Sequence, residues 1–511
     1  MSLRNNVLAN YTAQGWRSLI QIVFIPLYIS YLGIESYGLI GIFAVLQSWL
    51  ALLDMGMRPA LGREMARFTG GAHDAQSIWD LLRSIEIISI GIAASSALGV
   101  YLWAPWLATH WIHADTLQPA AVSHALEIMG VVTGLQFIES MYTSSMSGLQ
   151  QQVLQNGLST VVVTVRSVGA IGVLAWISPT LEAFFIWQGF ISMLSMLAFG
   201  GVMYRVLPSP PSSPKFSIAA LRGVWRYAAG IMGITFLILT LTQVDKILLS
   251  RLLPLAEFGN YALASVLAGG LYAMIAPTSA AFYPQFAEFS VRGSEHELSI
   301  RYHQGAQIVS VLAGAICVLV VLFADQLLVL WTGDLALTDH VAPILRVLIV
   351  ATLLNGLAQM PYQLQTARGW TTLTIKIMTV AVIILIPTLL VVVPRYGAMG
   401  AAWAGVALNA GYVVCQAHFM HRKLLIHEKW TWLRNDILMP ITGAVATGLV
   451  CRAVLPSTLN RPALLVQLVV CAAAIMLSSA VLAPHTRAIL QRALASARSR
   501  LTKAKAKLTK I

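Results

Sequence analysis

Asp245 and Lys246 stand side by side in the apolar stretch "LTQVDKILLSRL", residues 241–252. In surroundings of low polarity such a pair neutralises itself, or the carboxylate carries a proton that exchanges while the lysine holds an anion, and both readings stay open. Arg17, Arg166 and Arg346 are also set among apolar residues. A guanidinium is suited to phosphate oxygens because its N–H groups donate in a fixed fork. At the centre of a helix in hydrocarbon a cation costs about 2.5–3.5 kcal/mol on insertion scales, so it is expected to face protein or a wet cavity. The candidate anion-binding set is therefore Arg17, Gln21, Arg166, Asp245, Lys246 and Arg346. Asp54, Glu139 and Asp245 are the candidates for ion coupling, with Glu127 and Asp325 also well placed for it. Asp54 has a plainer alternative, capping the end of its span, and Arg58 and Arg452 lie near span ends where long side chains reach the interface.

Helical spacing shows which faces these groups share. Asn10, Gln14, Arg17, Gln21 and Tyr28 form one stripe, Gln47, Asp54 and Arg58 a second, and Gln136, Ser140, Thr143, Ser147 and Gln150 a third. Asn355 and Gln359 accompany Arg346, while Thr235, Thr242 and Lys246 share a face with Asp245 about 100° away. Such stripes line a wet cavity or supply hydrogen bonds between helices, each of the latter contributing about 0.6 kcal/mol.

The elements that position them are set by composition. Of 511 residues, 58% are hydrophobic and only 10% charged, and the apolar residues arrive in blocks of roughly twenty, enough to cross about 30 Å of hydrocarbon as helix. The expected fold is an all-α polytopic membrane protein with about 14 transmembrane helices. No alternating short segments suggest a β-barrel. The first block has no cleavage pattern after it and is expected to stay as a signal anchor. Four cysteines lie inside apolar blocks without metal-like spacing and are expected to be small core residues. Most Lys and Arg fall in connections that are cytoplasmic if the N- and C-termini are inside, whereas Arg251, Arg395 and Arg461 fall outside. The net charge of +13 is thus expected to reflect topology and anionic lipid, with no nucleic acid partner.

The Pro- and Ser-rich "RVLPSPPSSPKFSIAALRGVWR" divides the chain near its middle. "LGIESYGLIGIF" before it is echoed by "LPLAEFGNYALA" after it, and "SGLQQ" by "YQLQT". Six spans in each half return the chain to the same side, so the halves are expected to be parallel repeats with a cavity between them. The expected organisation is an N-lobe over 1–207, a cytoplasmic linker over 208–226, a C-lobe over 227–420, two extra spans over 421–483 and a basic amphipathic tail over 484–511.

No GxxxxGK[ST] loop is present. No outer loop gathers the Asp, Glu and His cluster that a membrane polymerase or ligase needs; His110, His113, Asp115 and His124 read as an interfacial belt beside Trp residues rather than as a metal site. An enzyme is not expected.

Taken together, "NVLANYTAQGWRSLIQIVFIPLYISYLGIESYGLIGIF", "LLDMGMRPALGREMA", "VDKILLSRLLPLAEFGNYALA" and "YGAMGAAWAG" resemble the Wzx-type polysaccharide transporters of the multidrug/oligosaccharidyl-lipid/polysaccharide exporter superfamily, over roughly residues 5–420. The resemblance implies a two-lobed bundle that flips undecaprenyl-diphosphate-linked oligosaccharide (an O-antigen, capsule or exopolysaccharide repeat unit) from the cytoplasmic to the periplasmic leaflet of the bacterial inner membrane. It implies alternating access coupled to an ion gradient; no cofactor or metal is expected. Arg17, Asp245 and Lys246 match places where such transporters line their cavity. The implied partners are the lipid-linked substrate, membrane lipids, and the polysaccharide polymerase and chain-length machinery. Many relatives stop at twelve spans, which leaves the last two without an implied role. The alternatives are a multidrug or other lipid exporter of the same superfamily, for which a carboxylate-dominated cavity is expected where the charges here lean positive, and a membrane polysaccharide polymerase or ligase.

Overall fold

The computed structural model describes residues 3–454 and 460–492, with side chains from Thr12 onward. The side chain of Asn10 and the basic tail from residue 493 lie outside the described residues. The described chain is helical throughout: α1 (Leu3–Leu50), α2 (Met57–Thr69), α3 (Ala75–Trp106), α4 (Pro119–Gly148), α5 (Gln152–Trp176), α6 (Leu181–Val206), α7 (Ile218–Leu252) and α8 (Leu255–Arg292). There follow α9 (Glu295–Thr332), α10 (Leu335–Leu357), α11 (Gln359–Ala367), α12 (Thr371–Lys423), the single turn α13 (Lys429–Thr431), α14 (Met439–Val454) and α15 (Arg461–Leu482). A π-helical turn, Trp432–Leu438, joins α13 to α14.

Twelve candidate membrane spans are present among the described residues. Two of them, Thr12–Asp54 with 43 residues and Thr371–Lys423 with 53, are each about twice the ~20 residues that a crossing needs. Each is broken by a glycine that has left the helix, Gly33 at φ 81, ψ 165 and Gly397 at φ 57, ψ −144. Counted as two crossings each, they bring the total to the fourteen expected. Lipid-exposed faces carry Leu102, Trp103, Val168, Ile383 and Val466, which is what a bilayer solvent requires of a surface. The protein is a multi-pass membrane protein.

The chain forms two compact units, Met1–Ala262 and Leu263–Ile511. The division falls inside α8, not in the stretch 208–226, and α7 packs with α1, α2 and α3 of the first unit. Two local features account for this. The stretch 208–217 is docked along α3: Trp79 Nε1 donates to the Pro208 carbonyl at 2.7 Å, Lys215 N to Asp80 at 2.8 Å and Ser217 N to Ser84 Oγ at 2.8 Å. Gly56, at φ 77, lets α7 come in so closely that a Cβ there would strike the Ala228 carbonyl. α7 itself begins at Ile218, capped by the Ser217 hydroxyl.

Within the first unit α4 is the central helix, packed on α2, α3 and α6, while α5 joins α1 to α6. Small residues set its contacts, since lipid offers no hydrophobic drive for helix association. A Cβ on Gly148 would strike the Gly62 carbonyl, and one on Gly134 would lie 3.2 Å from that of Ala93. The echo between "LGIESYGLIGIF" and "LPLAEFGNYALA" has a physical counterpart: Gly38 abuts Leu255 and Gly259 abuts Ile34, the same contact made in both directions. Beside it the buried Glu35 accepts backbone N–H groups from Asp115 (2.5 Å), Thr116 (3.0 Å) and Leu117 (3.2 Å), which holds the loop before α4 onto α1.

In the second unit α10 lies between α9 and α12, and the last two spans, α14 and α15, pack on each other and on α9. Ala315, Val318 and Phe323 of α9 meet Ala444, Leu468, Cys471 and Ile475. Cys317 and Cys471 are buried as expected of small core residues, whereas Cys415 is exposed, because it sits on the lipid-directed face of α12 between Val414 and Phe419. His110 stacks on Trp106 with ring centres 5.5 Å apart, a pairing that suits an interfacial belt.

Gly33 occupies backbone space that is essentially closed to other residues, and nothing lies within 4 Å of where its Cβ would stand. Gly33→Ala is therefore expected to cost on the order of 1–3 kcal/mol through backbone strain alone, read as a lower melting temperature of the purified protein in detergent. An unchanged melt means that the break is not held by the fold.

Candidate functional site

The inner-facing stripe of α4 organises the polar groups of the first unit. At one end, the 3₁₀ turn Ala51–Asp54 leads into α2, and Asp54 caps the first turn of that helix, accepting from Arg58 N at 2.9 and 3.1 Å. The Arg58 guanidinium closes back on it, Nε to Oδ2 at 3.3 Å. Its remaining nitrogens donate to Ser140 Oγ and to the Ala51 carbonyl, both at 2.9 Å. Its plane also lies over Phe137, 5.4 Å from the ring centre. Every nitrogen of Arg58 is thus engaged. These residues line a cavity of about 480 Å³ completed by Thr143, Ser144, Ser147, Gln155 and Thr235, with Leu52, Ile231 and Leu239 as its apolar wall. That volume lies in the range of small-molecule sites, about 300–1,000 Å³.

Further along α4, Gln136 accepts from Gln47 of α1 and donates to Ser192 of α6 at 3.1 Å. Ser192 also receives Arg166 Nη2 of α5 at 3.3 Å, and Arg166 lies 4.0 Å from the Glu139 carboxylate. One polar chain therefore links α1, α4, α5 and α6. The Arg17 Nε is buried without a hydrogen-bond partner among the described residues, next to Trp16, whose indole donates to Thr164 of α5 at 2.9 Å. Gln21 is exposed.

Asp245 and Lys246 on α7 pair at 3.4 Å, the ammonium also donating to the Thr242 carbonyl at 2.8 Å. The buried Tyr261 donates to Asp245 at 2.7 Å, so the carboxylate is held from two sides. In the second unit Arg346 of α10 pairs with Asp325 of α9 at 2.5 Å and donates to the Val321 carbonyl at 3.2 Å. Asn355 donates to Asn409 of α12 at 2.9 Å and accepts from Gln359 at 3.3 Å.

The proposed anion-binding residues therefore do not form one cluster of free cations. Arg166, Lys246 and Arg346 each have a carboxylate partner, in Glu139, Asp245 and Asp325, so three of the expected phosphate ligands pair with carboxylates read as ion-coupling groups, whereas Asp54 pairs with Arg58. The apparent positive lean of the in-span charges is offset accordingly. Of the α4 stripe, Gln136, Ser140 and Ser147 make bonds to other helices, and Thr143 bonds back to its own helix at 2.9 Å; Ser144, outside the stripe, donates to the Arg58 carbonyl at 2.8 Å.

Two buried clusters escaped sequence reasoning. Glu86 of α3 takes the hydroxyls of Tyr142 (3.0 Å) and Tyr204 (2.6 Å) and the guanidinium of Arg83 (3.1 Å). His303 of α9 lies between Asp436 and Glu428. The available signal was the rarity of Glu or His in an apolar block; the partners lie on other helices, where spacing is silent.

Asp54→Ala removes a helix cap and the counter-charge of a half-buried guanidinium. It is expected to cost about 1–2 kcal/mol for the cap and more for the orphaned charge. Asp54→Asn keeps a capping oxygen and is expected to melt measurably higher than Asp54→Ala; equal melts mean that the cap contributes nothing.

The chain was compared with known proteins on this basis. A search of curated proteins found no match. Among solved structures, the lipid II flippase MurJ in an inward closed conformation superposes with a TM-score of 0.67 at 12% identity, over 96% of this chain and 99% of that one. An inward-facing multidrug resistance MATE family transporter of the MOP superfamily gives 0.59 at 14% identity, over 83% and 95%. A mutant of the Vibrio cholerae MATE transporter VcmN gives 0.56 at 14% identity, over 84% and 98%. At these identities the likeness establishes a common fold. The family model described as polysaccharide biosynthesis protein matches residues 3–290, more than half of the chain, and the protein belongs to that family.

Proposed function

We propose that the protein flips undecaprenyl-diphosphate-linked oligosaccharide from the cytoplasmic to the periplasmic leaflet of the bacterial inner membrane, by alternating access and with its termini inside. The reading is supported by membership of a polysaccharide biosynthesis family and by a fold shared with a protein described as a lipid II flippase. It is carried by one observation: cations inside the first unit are held by carboxylates, and one such pair, Arg58 with Asp54, lines a cavity with five hydroxyl side chains and the Gln155 amide.

A diphosphate with sugars attached cannot enter hydrocarbon unaided. Its charge needs guanidinium or ammonium donors, and its sugar hydroxyls need partners such as Ser140, Thr143, Ser147, Gln155 and Thr235. The polyprenyl chain stays in lipid. For Arg166 or Lys246 to receive a phosphate oxygen, Glu139 or Asp245 must release it. A proton or metal cation on that carboxylate removes the competition, since a neutralised acid no longer attracts the guanidinium. Ion binding and substrate binding then favour each other through the same pair, which is the linkage that gradient coupling requires. Arg17, whose Nε has no partner among the described residues, is the cation that reaches substrate without such an exchange. Exported glycan would pass to the polymerase and chain-length machinery.

The decisive experiment reconstitutes the protein in liposomes with labelled undecaprenyl-diphosphate oligosaccharide and follows access of an outside probe to the label. Acceleration over empty liposomes is expected under an imposed proton or sodium gradient. No acceleration under either, or transport of organic cations instead, overturns the reading. Arg17→Ala and Lys246→Ala are expected to abolish flipping with normal membrane insertion. Glu139→Gln and Asp245→Asn are expected to retain flipping and flatten its pH profile.

A further inference from the structure

The densest set of titratable side chains outside the pairs above lies in the second unit, where α9 meets the segment leading into α14. His303 of α9 is buried, with Nδ1 2.5 Å from Asp436 Oδ2 and Nε2 3.2 Å from Glu428 Oε2. Asp436 belongs to the π-helical turn Trp432–Leu438, and Glu428 precedes α13. Gln307, one turn beyond His303, donates to Asp436 Oδ1 at 2.8 Å, and its oxygen accepts the backbone N–H of His485, just past α15, at 2.7 Å.

We propose that His303, Asp436 and Glu428 form a buried proton-binding site that fastens the α14 and α15 pair to α9.

Counting hydrogens leads to this assignment. The His485 backbone N–H can only donate, so the Gln307 oxygen faces it and the Gln307 amide hydrogens face Asp436. Asp436 Oδ1 is therefore an acceptor, and the hydrogen at Oδ2 is shared with His303 Nδ1. The other ring nitrogen faces the Glu428 carboxylate, whose side chain is 34% exposed. A neutral imidazole carries one N–H and cannot satisfy two carboxylates, so the arrangement holds one extra proton, placed on the ring. Losing it sets a nitrogen lone pair against a carboxylate oxygen within a buried contact, where an unmet polar group is costly.

Other charged groups at the joint do not supply that proton. Tyr302 of α9 lies 3.1 Å from His421 Nε2 of α12, whose Nδ1 is turned to the Ala417 carbonyl at 2.7 Å. Lys429 is directed to His418 at 3.1 Å. Arg301 bonds Gln304, and Arg422, Lys423 and Arg434 are exposed. Burial holds the His485 imidazole below its ordinary value, which leaves it neutral. Because the contact needs the proton, docking is complete at lower pH and weakens as pH rises through the titration of the site. This reading is independent of the transported substrate.

Hydrogen exchange of the full-length protein in detergent, corrected for intrinsic rates, tests it between about pH 6 and pH 10. Protection of Trp432–Leu438 is expected to fall on the order of tenfold across that range. His303→Gln, which keeps a donor to Asp436, is expected to show protection that does not change with pH. Glu428→Gln removes one carboxylate that favours the charged ring, and the midpoint is expected to move to lower pH by about one unit. Wild-type protection that is flat in pH, or a midpoint unmoved by Glu428→Gln, overturns the proposal. The second outcome decides it alone should His303→Gln not fold.

Discussion

A charge placed within a bilayer has to find its counter-charge inside the protein, and the arrangement of both units follows from that requirement. Asp54 holds Arg58, Glu139 faces Arg166, Asp245 holds Lys246 and Asp325 holds Arg346. Each pair reduces the cost of burying its members, yet a buried pair returns little net stability compared with an apolar substitute. Such pairs are expensive furniture for a merely structural purpose. They are economical where one member must be released in the working cycle.

The second constraint is on the backbone. Within lipid the main chain has no water to bond, so it remains helical and departs from the helix only at residues that tolerate the departure. Gly33 and Gly397 provide two such points, and Gly56, which lines the cavity, a third. The same residue type brings helices together elsewhere, at Gly62 with Gly148 and at Gly38 with Gly259. Close approach then makes short polar side chains effective: Ser140 and Ser144 reach α2 from α4 only because the axes are near. The cavity beside them is walled on the α7 side by Ile231, Thr235 and Leu239.

This explains which features were legible in the sequence. Span number, the all-helical class and the α4 stripe follow from hydropathy and from a 3.6-residue period, which are properties of single helices. Pairs close in sequence were equally accessible: Arg58 follows Asp54 by four residues, and Lys246 adjoins Asp245. The partners of Arg166 and Arg346 were not, although each sits on the helix before its own, because register between helices depends on packing. His303 and Asp436 are separated by 133 residues, and nothing in either segment announces the other. The placement of α7 was missed for a related reason. A Pro- and Ser-rich linker reads as a boundary, but its amide groups found acceptors on α3 and its helix began nine residues earlier than the hydropathy suggested.

The pairing of Arg166, Lys246 and Arg346 with carboxylates bears directly on how a transporter of anions would work. Free guanidinium groups in a cavity would bind a diphosphate tightly and release it slowly, and a grip equally strong in both states gives a gradient nothing to bias. Carboxylates positioned against those cations weaken the grip and make it conditional. Arg166, with Glu139 at 4.0 Å, is balanced more loosely than Lys246, whose partner is its neighbour and is itself held by Tyr261. A proton arriving at Glu139 would therefore alter the affinity for an anion more readily than one arriving at Asp245, where a phenol must also be displaced. On that ground, under the proposed function, the α4 and α5 pair rather than the conspicuous neighbours on α7 is where ion binding would have the greater leverage over substrate.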